Sequence, residues 1–177
     1  INNKLTTLTY GLDVARGIAN LVQHPNAYGE AFHITNDYSC KWSDILEIYL
    51  DVLEDKLGYR SKILYQNLQD FLAWNPGKYQ VIYDRLFNRE FNNKKINKLI
   101  NTTDFVQIQD GLKKCLTAFL DDPKFKQINW KNEALKDRYT NERTQLSEIS
   151  GFKQKLKYII YRYFNKSLVD FLEKVIR

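Results

Sequence analysis

Apolar residues recur at helical spacing in several segments of this chain. The strongest pattern runs from Trp42 to Leu57, where the apolar residues fall on one helix face. Gly58 follows as a C-terminal helix signal, and Asp37 or Ser39 is placed to cap the start. Weaker helical patterns cover residues 12 to 23, 94 to 100, 106 to 120 and 131 to 143, and a turn or short helix is predicted over residues 68 to 74.

Alternating apolar and polar positions predict two strands, over residues 5 to 10 and 30 to 35. In the second strand, Phe32 and Ile34 face one side and His33 the other. Residues 62 to 65 are a shorter strand candidate, and residues 79 to 91 fit a helix followed by a strand whose boundary stays open. We therefore expect a mixed α and β fold, rich in helix and of the α/β class.

The positive charge is concentrated near the end of the chain. The formal net charge is +6, and residues 151 to 177 contribute most of it. We predict a main region over residues 1 to 143, a linker over 144 to 150, and a basic amphipathic helical tail over 151 to 177. The tail suits either docking on the domain or a partner subunit, or contact with a membrane surface. Docking is favoured, because the run Asn165-Lys166-Ser167 suggests two short helices.

The composition indicates a soluble chain without a metal site. No run approaches the ~20 apolar residues that a membrane span needs, and the residues after Ile1 show no signal-peptide pattern. Cys40 and Cys115 form no disulfide framework, and with His24 and His33 they give no zinc-site spacing. We expect a cytoplasmic protein. The chain has no methionine, so we also expect it to be part of a longer protein.

Sequence motifs for catalysis are not found. The seven glycines stand at positions 11, 17, 29, 58, 77, 111 and 151, so neither a dinucleotide-binding fingerprint nor a P-loop can be placed. No tyrosine has a lysine four residues later, the pair that short-chain dehydrogenases use as acid and base. Tyr139 and Tyr158 have arginine there, which we attribute to chance. We assign no catalytic or cofactor-binding residue and expect the chain alone to be inactive.

Three stretches, in order, carry a resemblance to a known family. The first contains Leu-Thr-Tyr-Gly-Leu-Asp-Val-Ala-Arg-Gly-Ile over residues 8 to 18. The second contains Gly-Glu-Ala-Phe-His-Ile-Thr over residues 29 to 35, with Trp42 after it. The third runs from Phe-Asn-Asn-Lys-Lys-Ile over residues 91 to 96 to Asp-Gly-Leu at 110 to 112 and Phe-Leu at 119 to 120. Together they resemble the C-terminal part of NAD-dependent epimerases and dehydratases of the extended short-chain dehydrogenase/reductase family.

The resemblance implies the C-terminal, substrate-binding part of an enzyme that acts on a nucleotide sugar. Its own N-terminal dinucleotide-binding domain, absent from this sequence, would hold NAD or NADP and the catalytic tyrosine. The present chain would close over the nucleotide sugar. A homodimer is compatible with this interpretation.

The same resemblance indicates candidate substrate-binding residues. An arginine shortly before the third stretch often meets the nucleotide phosphates in this family, and Arg85 is the nearest match, with Arg89 in competition. Trp42 is a candidate for stacking on the ligand, with packing as the alternative. This sequence departs from many members at Thr6, where they have an arginine, and at Tyr10, where a histidine is common.

Other residues admit both a structural and a functional interpretation. Three aromatic residues are candidates to line the binding site of a nucleotide base, although aromatic clusters more often form a core: Tyr79, Tyr83 and Trp74. Asp13 and Arg16 stand three apart on a helix, where we expect a surface ion pair, with a substrate or interdomain contact as the alternative.

A second functional hypothesis is a noncatalytic interaction module that uses the basic tail to bind a membrane surface or a protein partner. Nucleic acid is not expected as a partner, because no recognised motif accompanies the charge.

Overall fold

The computed structural model describes residues 1–123, 128–165 and 167–169 of the chain. It is a mixed α and β structure, rich in helix, with one two-stranded antiparallel sheet in the described part. The chain forms two compact units. The first unit contains Ile1–Lys62 and Tyr79–Lys124, and the second contains Ile63–Lys78 and Phe125–Arg177.

The elements follow one another as short strands and helices of one to four turns. In chain order they are β1 (Leu5–Thr6), α1 (Gly11–Val22), a 3₁₀ turn (Pro25–Ala27), β2 (Cys40–Lys41), α2 (Trp42–Leu57), α3 (Leu68–Trp74), α4 (Lys78–Gln80), a π-helical turn (Val81–Arg85), a 3₁₀ turn (Ile96–Lys98), α5 (Ile108–Asp121), α6 (Trp130–Thr140) and α7 (Phe152–Tyr163).

Helix α2 has the bounds that its apolar spacing predicts. Gly58 ends it in the left-handed region at a φ of 77°, where a residue without Cβ is favoured. The predicted caps Asp37 and Ser39 are wrong: Lys41 is the residue at the N-cap, and its N–H donates to the Asp44 carboxylate at 3.0 Å. Helix α2 packs against α5, and its buried residues are Ile45, Ile48, Leu50 and Val52.

The strands are much shorter than alternation predicts. Only Leu5 and Thr6 of the first predicted strand pair, with Lys41 and Cys40 respectively. Residues 30 to 35 and 62 to 65 form no strand.

A strand needs a neighbouring strand for its backbone groups, and residues 30 to 35 satisfy theirs differently. The Lys95 ammonium donates to the carbonyl of Ala31 at 2.9 Å. The Asn93 amide donates to the carbonyl of Thr35 at 2.8 Å. Side chains more than fifty residues away therefore take the place of a partner strand. The local alternation of apolar and polar residues cannot predict such long-range hydrogen bonds.

Helix α1 is fixed by a carboxylate that we expected on the surface. Asp13 does pair with Arg16, but it is fully buried and also accepts the Val106 N–H at 2.8 Å. On the same helix, a Cβ at Gly17 would lie 2.8 Å from Cγ2 of Ile34. Glycine therefore allows the segment after α1 to pack closely against it.

The second unit is built around the contact of α6 with α7. Residues 144 to 150, predicted to be a linker, lie inside this unit, and Ile149 is 1% exposed. Helix α7 packs through Tyr158 and Tyr161, as the docking interpretation of the tail predicts, and ends at Tyr163. Residues 170 to 177 of the predicted tail lie outside the described part. The core consists of Trp130, Ala134, Ile149, Tyr158, Tyr161 and Val169.

A buried polar network joins α6 to α7. The Tyr158 hydroxyl donates to Oδ2 of Asp137 at 2.6 Å, and the backbone N–H and hydroxyl of Thr144 each donate to the same oxygen at 2.8 Å. Burial, followed by the hydrogen bond to Asp137, raises the pKa of Tyr158. The carboxylate therefore has three donors in an otherwise apolar core.

None of the helices within the described residues combines the length and the apolar character that crossing a membrane requires.

Candidate functional site

The three predicted substrate-binding residues lie together in the first unit. Trp42 is the first residue of α2 and directly follows β2, which pairs with β1. The Trp42 N–H donates to the carbonyl of Lys4 at 3.2 Å. This bond holds the start of α2 beside β1 and fixes the position of the Trp42 backbone.

The segment that carries both arginines is attached to the other side of β1. Leu5 of β1 donates its N–H to Oδ1 of Asn88 at 3.1 Å and accepts the Arg89 N–H at 3.0 Å. The Thr7 hydroxyl donates to the Arg89 carbonyl at 3.0 Å. Strand β1 therefore lies between the start of α2 and the arginine segment.

A π-helical turn, Val81–Arg85, forms the first part of this segment. The N–H of Leu86 donates to the carbonyl of Val81 at 3.2 Å, which is the i to i+5 bond of a π-turn. Such single turns are rare and occur frequently at functional sites. The prediction for residues 79 to 91 is wrong in its second half, because a turn of π-helix follows α4 and no strand forms there.

Both guanidinium groups lie over the Trp42 indole. The Cζ atom of Arg85 is 4.8 Å from the ring centroid, and that of Arg89 is 5.9 Å away. An indole face attracts cations, and the planar guanidinium can stack on it. We call Trp42, Arg85 and Arg89 the tryptophan–arginine cluster.

The two arginines differ in their other contacts. Arg89 donates to Oδ2 of Asp84 at 3.1 Å and to the hydroxyl of the fully buried Thr6. Among the described residues, no carboxylate pairs with Arg85. Arg89 is therefore neutralised and tied to the fold, whereas Arg85 has no carboxylate partner among the described residues.

Two buried donors of the cluster lack an acceptor among the residues that the structure describes. They are Nε1 of Trp42 and Nε of Arg89. Buried N–H groups are normally hydrogen-bonded, and leaving one unpaired costs about 1–3 kcal/mol. An acceptor-rich group such as a phosphate or a nucleobase carbonyl is the chemical complement of these donors.

The aromatic residues expected near the nucleotide base separate into two groups. Tyr79 and Tyr83 stack at 6.3 Å with an interplanar angle of 12°, and their side chains are exposed in the first unit. Trp74 belongs to the second unit, where it contacts Phe71 edge-on at 5.4 Å and donates to Gln66 at 3.2 Å. The two tyrosines therefore belong to the same unit as the tryptophan–arginine cluster, and Trp74 does not.

Two residues of the site were missed from the sequence. Thr6 is 83 positions from its partner Arg89, and no local signal connects them. Asp84 lies five positions before Arg89, a spacing that an ordinary α-helix does not bring together. The described residues contain no group of three His, Cys, Asp or Glu placed to hold a metal ion.

Comparisons of this chain with protein-family profiles, curated proteins and solved structures find no match. The geometry of the tryptophan–arginine cluster therefore carries the functional argument.

Proposed function

We propose that this chain is the substrate-binding part of an NAD-dependent nucleotide-sugar epimerase or dehydratase, with the tryptophan–arginine cluster as its diphosphate-binding site. The observation that carries the proposal is the convergence of Arg85 and Arg89 on the Trp42 indole. A guanidinium matches the paired oxygens of a diphosphate better than an ammonium does, because it donates two parallel hydrogen bonds.

Within the cluster, Arg85 is the residue that binds phosphate and Arg89 the residue that positions the site. Arg85 stacks on Trp42 and has no acidic partner among the described residues. The stack restricts the guanidinium before the ligand arrives, so less conformational entropy is lost on binding. Arg89 already uses its charge on Asp84, and its guanidinium also lies near the Trp42 ring.

The contact between Arg89 and Thr6 supports the family resemblance. Many members of the family have an arginine at the position of Thr6, and here a guanidinium from a distant segment lies against that residue. A cation is thus present at this place although the sequence position itself is neutral. The departure at Thr6 is consequently compatible with the proposal.

The outer face of α1 supports the proposal that a dinucleotide-binding half packs on this chain. Leu12, Ile18 and Val22 are 63, 51 and 65% exposed, and with Ala15 and Ala19 they form one helix face. A contiguous apolar patch of this kind marks an interaction surface. In this proposal the missing half covers the face and supplies NAD or NADP together with the acid–base tyrosine.

The nicotinamide cofactor would take a hydride from the sugar and return it, as the family resemblance implies. The residues of this chain would bind and orient the nucleotide part of the substrate. We accordingly expect the 177-residue chain alone to show no NAD-dependent turnover.

Isothermal titration calorimetry tests the binding site. The chain is titrated with the diphosphates of uridine, thymidine and guanosine and with their glucose conjugates. We expect at least one to bind, and Arg85→Ala to weaken it about 10- to 100-fold, the usual loss for a charge-assisted hydrogen bond. Trp42→Leu removes the stacking surface and is expected to weaken the same ligand.

Arg143→Ala is the matched control, because it removes an exposed arginine from the second unit. It should leave the affinity unchanged. Binding that is equally strong in Arg85→Ala and Arg143→Ala, or the failure of every nucleotide to bind, would contradict the proposed site.

A further inference from the structure

Helix α7 has two apolar faces, and one of them is uncovered. Tyr158 and Tyr161 lie in the core of the second unit. On the opposite side, Phe152, Leu156 and Tyr163 are 80, 46 and 54% exposed. Their spacing of four and seven residues places them on one line along the helix. We call these three residues the outer stripe.

Basic side chains border the outer stripe on both edges. Helical geometry places Lys153 and Lys157 along one edge and Lys155 and Arg162 along the other. Arg162 is engaged with the carbonyl of Glu142, at 3.2 and 3.0 Å. No ion pair is formed between the three lysines and any other described residue, and α7 contains no acidic residue.

We propose that the outer stripe docks on the surface of an anionic lipid bilayer. An apolar line flanked by cations is the pattern of a helix that lies in the plane of the membrane interface. The apolar stems of lysine can follow Phe152 and Leu156 into the interface while their ammonium groups stay at the headgroups. Helix α7 is also held from behind by Tyr158 and Tyr161, so docking does not require it to leave the second unit.

The placement of the lysines favours a lipid surface over a single phosphate or an acidic peptide. Lys153 and Lys157 lie on the opposite edge from Lys155, so helical geometry directs their side chains to two edges and not toward one anion. A layer of headgroups presents negative charge to both edges at once. The exposed aromatic side chains Phe152 and Tyr163 also suit the boundary between headgroups and acyl chains.

Cosedimentation with lipid vesicles tests this proposal on the full chain. We expect the protein to pellet with vesicles of phosphatidylcholine mixed with phosphatidylserine, to stay in solution with phosphatidylcholine alone, and to be released by added salt. The triple variant Lys153→Gln, Lys155→Gln, Lys157→Gln should lower the partition coefficient on the order of 100-fold, since each lysine near such a surface contributes about fivefold.

The matched control is Lys94→Gln, Lys98→Gln, Lys113→Gln, which removes the same charge from exposed positions of the first unit. It should keep nearly all of the binding. The double variant Phe152→Ser, Leu156→Ser should lower binding at least tenfold at unchanged net charge, because the apolar contribution is lost.

No pelleting with anionic vesicles would overturn the proposal, and so would equal losses in the two lysine variants. Capture of an acidic soluble protein in place of vesicles would assign the stripe to a protein partner and would also overturn it. Circular dichroism checks that the variants stay folded. If the serine variant unfolds, the comparison of the two lysine variants alone tests whether the outer stripe binds the membrane.

Discussion

The two units each contain a polar cluster built around an aromatic side chain, and the clusters differ in how far their hydrogen bonds are satisfied. In the second unit, Oδ2 of Asp137 accepts three donors from Tyr158 and Thr144. In the first unit, Trp42 lies against two arginines, and two buried donors have no acceptor among the described residues.

This difference separates a cluster that holds the fold from one that can hold a ligand. A closed buried network stabilises one packing of its helices, and the loss of any member leaves other groups unpaired. An open cluster can still contain a residue that holds the fold, as Arg89 does through Asp84 and Thr6, but it leaves donors without an acceptor among the described residues. We therefore propose that ligand binding belongs to the first unit, whereas Asp137 has a structural role although it is a buried carboxylate beside a tyrosine.

The largest effect is expected from Asp137→Ala, which breaks the closed network. The hydroxyls of Tyr158 and Thr144 then lose their acceptor, while the Thr144 N–H keeps the Tyr158 hydroxyl at 3.0 Å. We expect the free energy of unfolding of the second unit to fall by about 3 kcal/mol. Hydrogen exchange of the α6 and α7 amides measures this locally. Glu148→Ala, which removes an exposed acid from the same unit, is the control and should change little. A loss as small as that of the control would show that the network does not stabilise the unit.

A smaller loss, about 1–2 kcal/mol at neutral pH, is expected for Tyr158→Phe, because a single donor is removed. The change also has a pH signature. The pKa of Tyr158 is raised in the folded state, so its stabilising contribution is complete below the unfolded value of about 10 and falls as the pH rises toward the folded value. The wild-type protein should lose stability over this range more steeply than the variant in urea titrations. Parallel alkaline slopes would contradict the role assigned to the hydroxyl.

Trp42→Phe is the corresponding change in the open cluster, and its expected effect on stability is the smallest. It removes an aromatic N–H that has no acceptor among the described residues. Removing this unpaired donor stabilises the fold and offsets part of the stability that is lost with the smaller ring. The free energy of unfolding should therefore change by less than about 1 kcal/mol. Urea denaturation compares it directly with Tyr158→Phe. A loss larger than that of Tyr158→Phe would mean that Trp42 belongs to a closed core.

The sequence predicts the helices of this fold better than its strands. Helix α2 follows from its apolar period and from Gly58, both of which are local signals. The predicted strand over residues 30 to 35 is wrong because Lys95 and Asn93 take the carbonyls that a neighbouring strand would need. The exposed His33 between half-buried Phe32 and Ile34 keeps the alternating pattern that suggested the strand.

The sequence predicts which residues form the candidate site, but not the role of each one. The family resemblance indicates Trp42, Arg85 and Arg89, and the structure brings them together. The resemblance does not distinguish the roles of the two arginines. That distinction depends on Thr6, which contacts Arg89 only in the tertiary fold. The prediction of a linker over residues 144 to 150 is wrong for the same kind of reason, because the burial of Ile149 depends on its packing with α6 and α7.

The division of labour between Arg85 and Arg89 is tested most directly by measuring nucleotide affinity and unfolding free energy on the same two variants. Arg85→Ala is expected to lose affinity for the nucleoside diphosphate about tenfold or more while its unfolding free energy changes by less than about 0.5 kcal/mol. Arg89→Ala should lower the unfolding free energy by about 1–2 kcal/mol, because Asp84 and Thr6 lose their partner. The opposite assignment, with Arg85→Ala destabilising the fold and leaving affinity intact, would contradict the account.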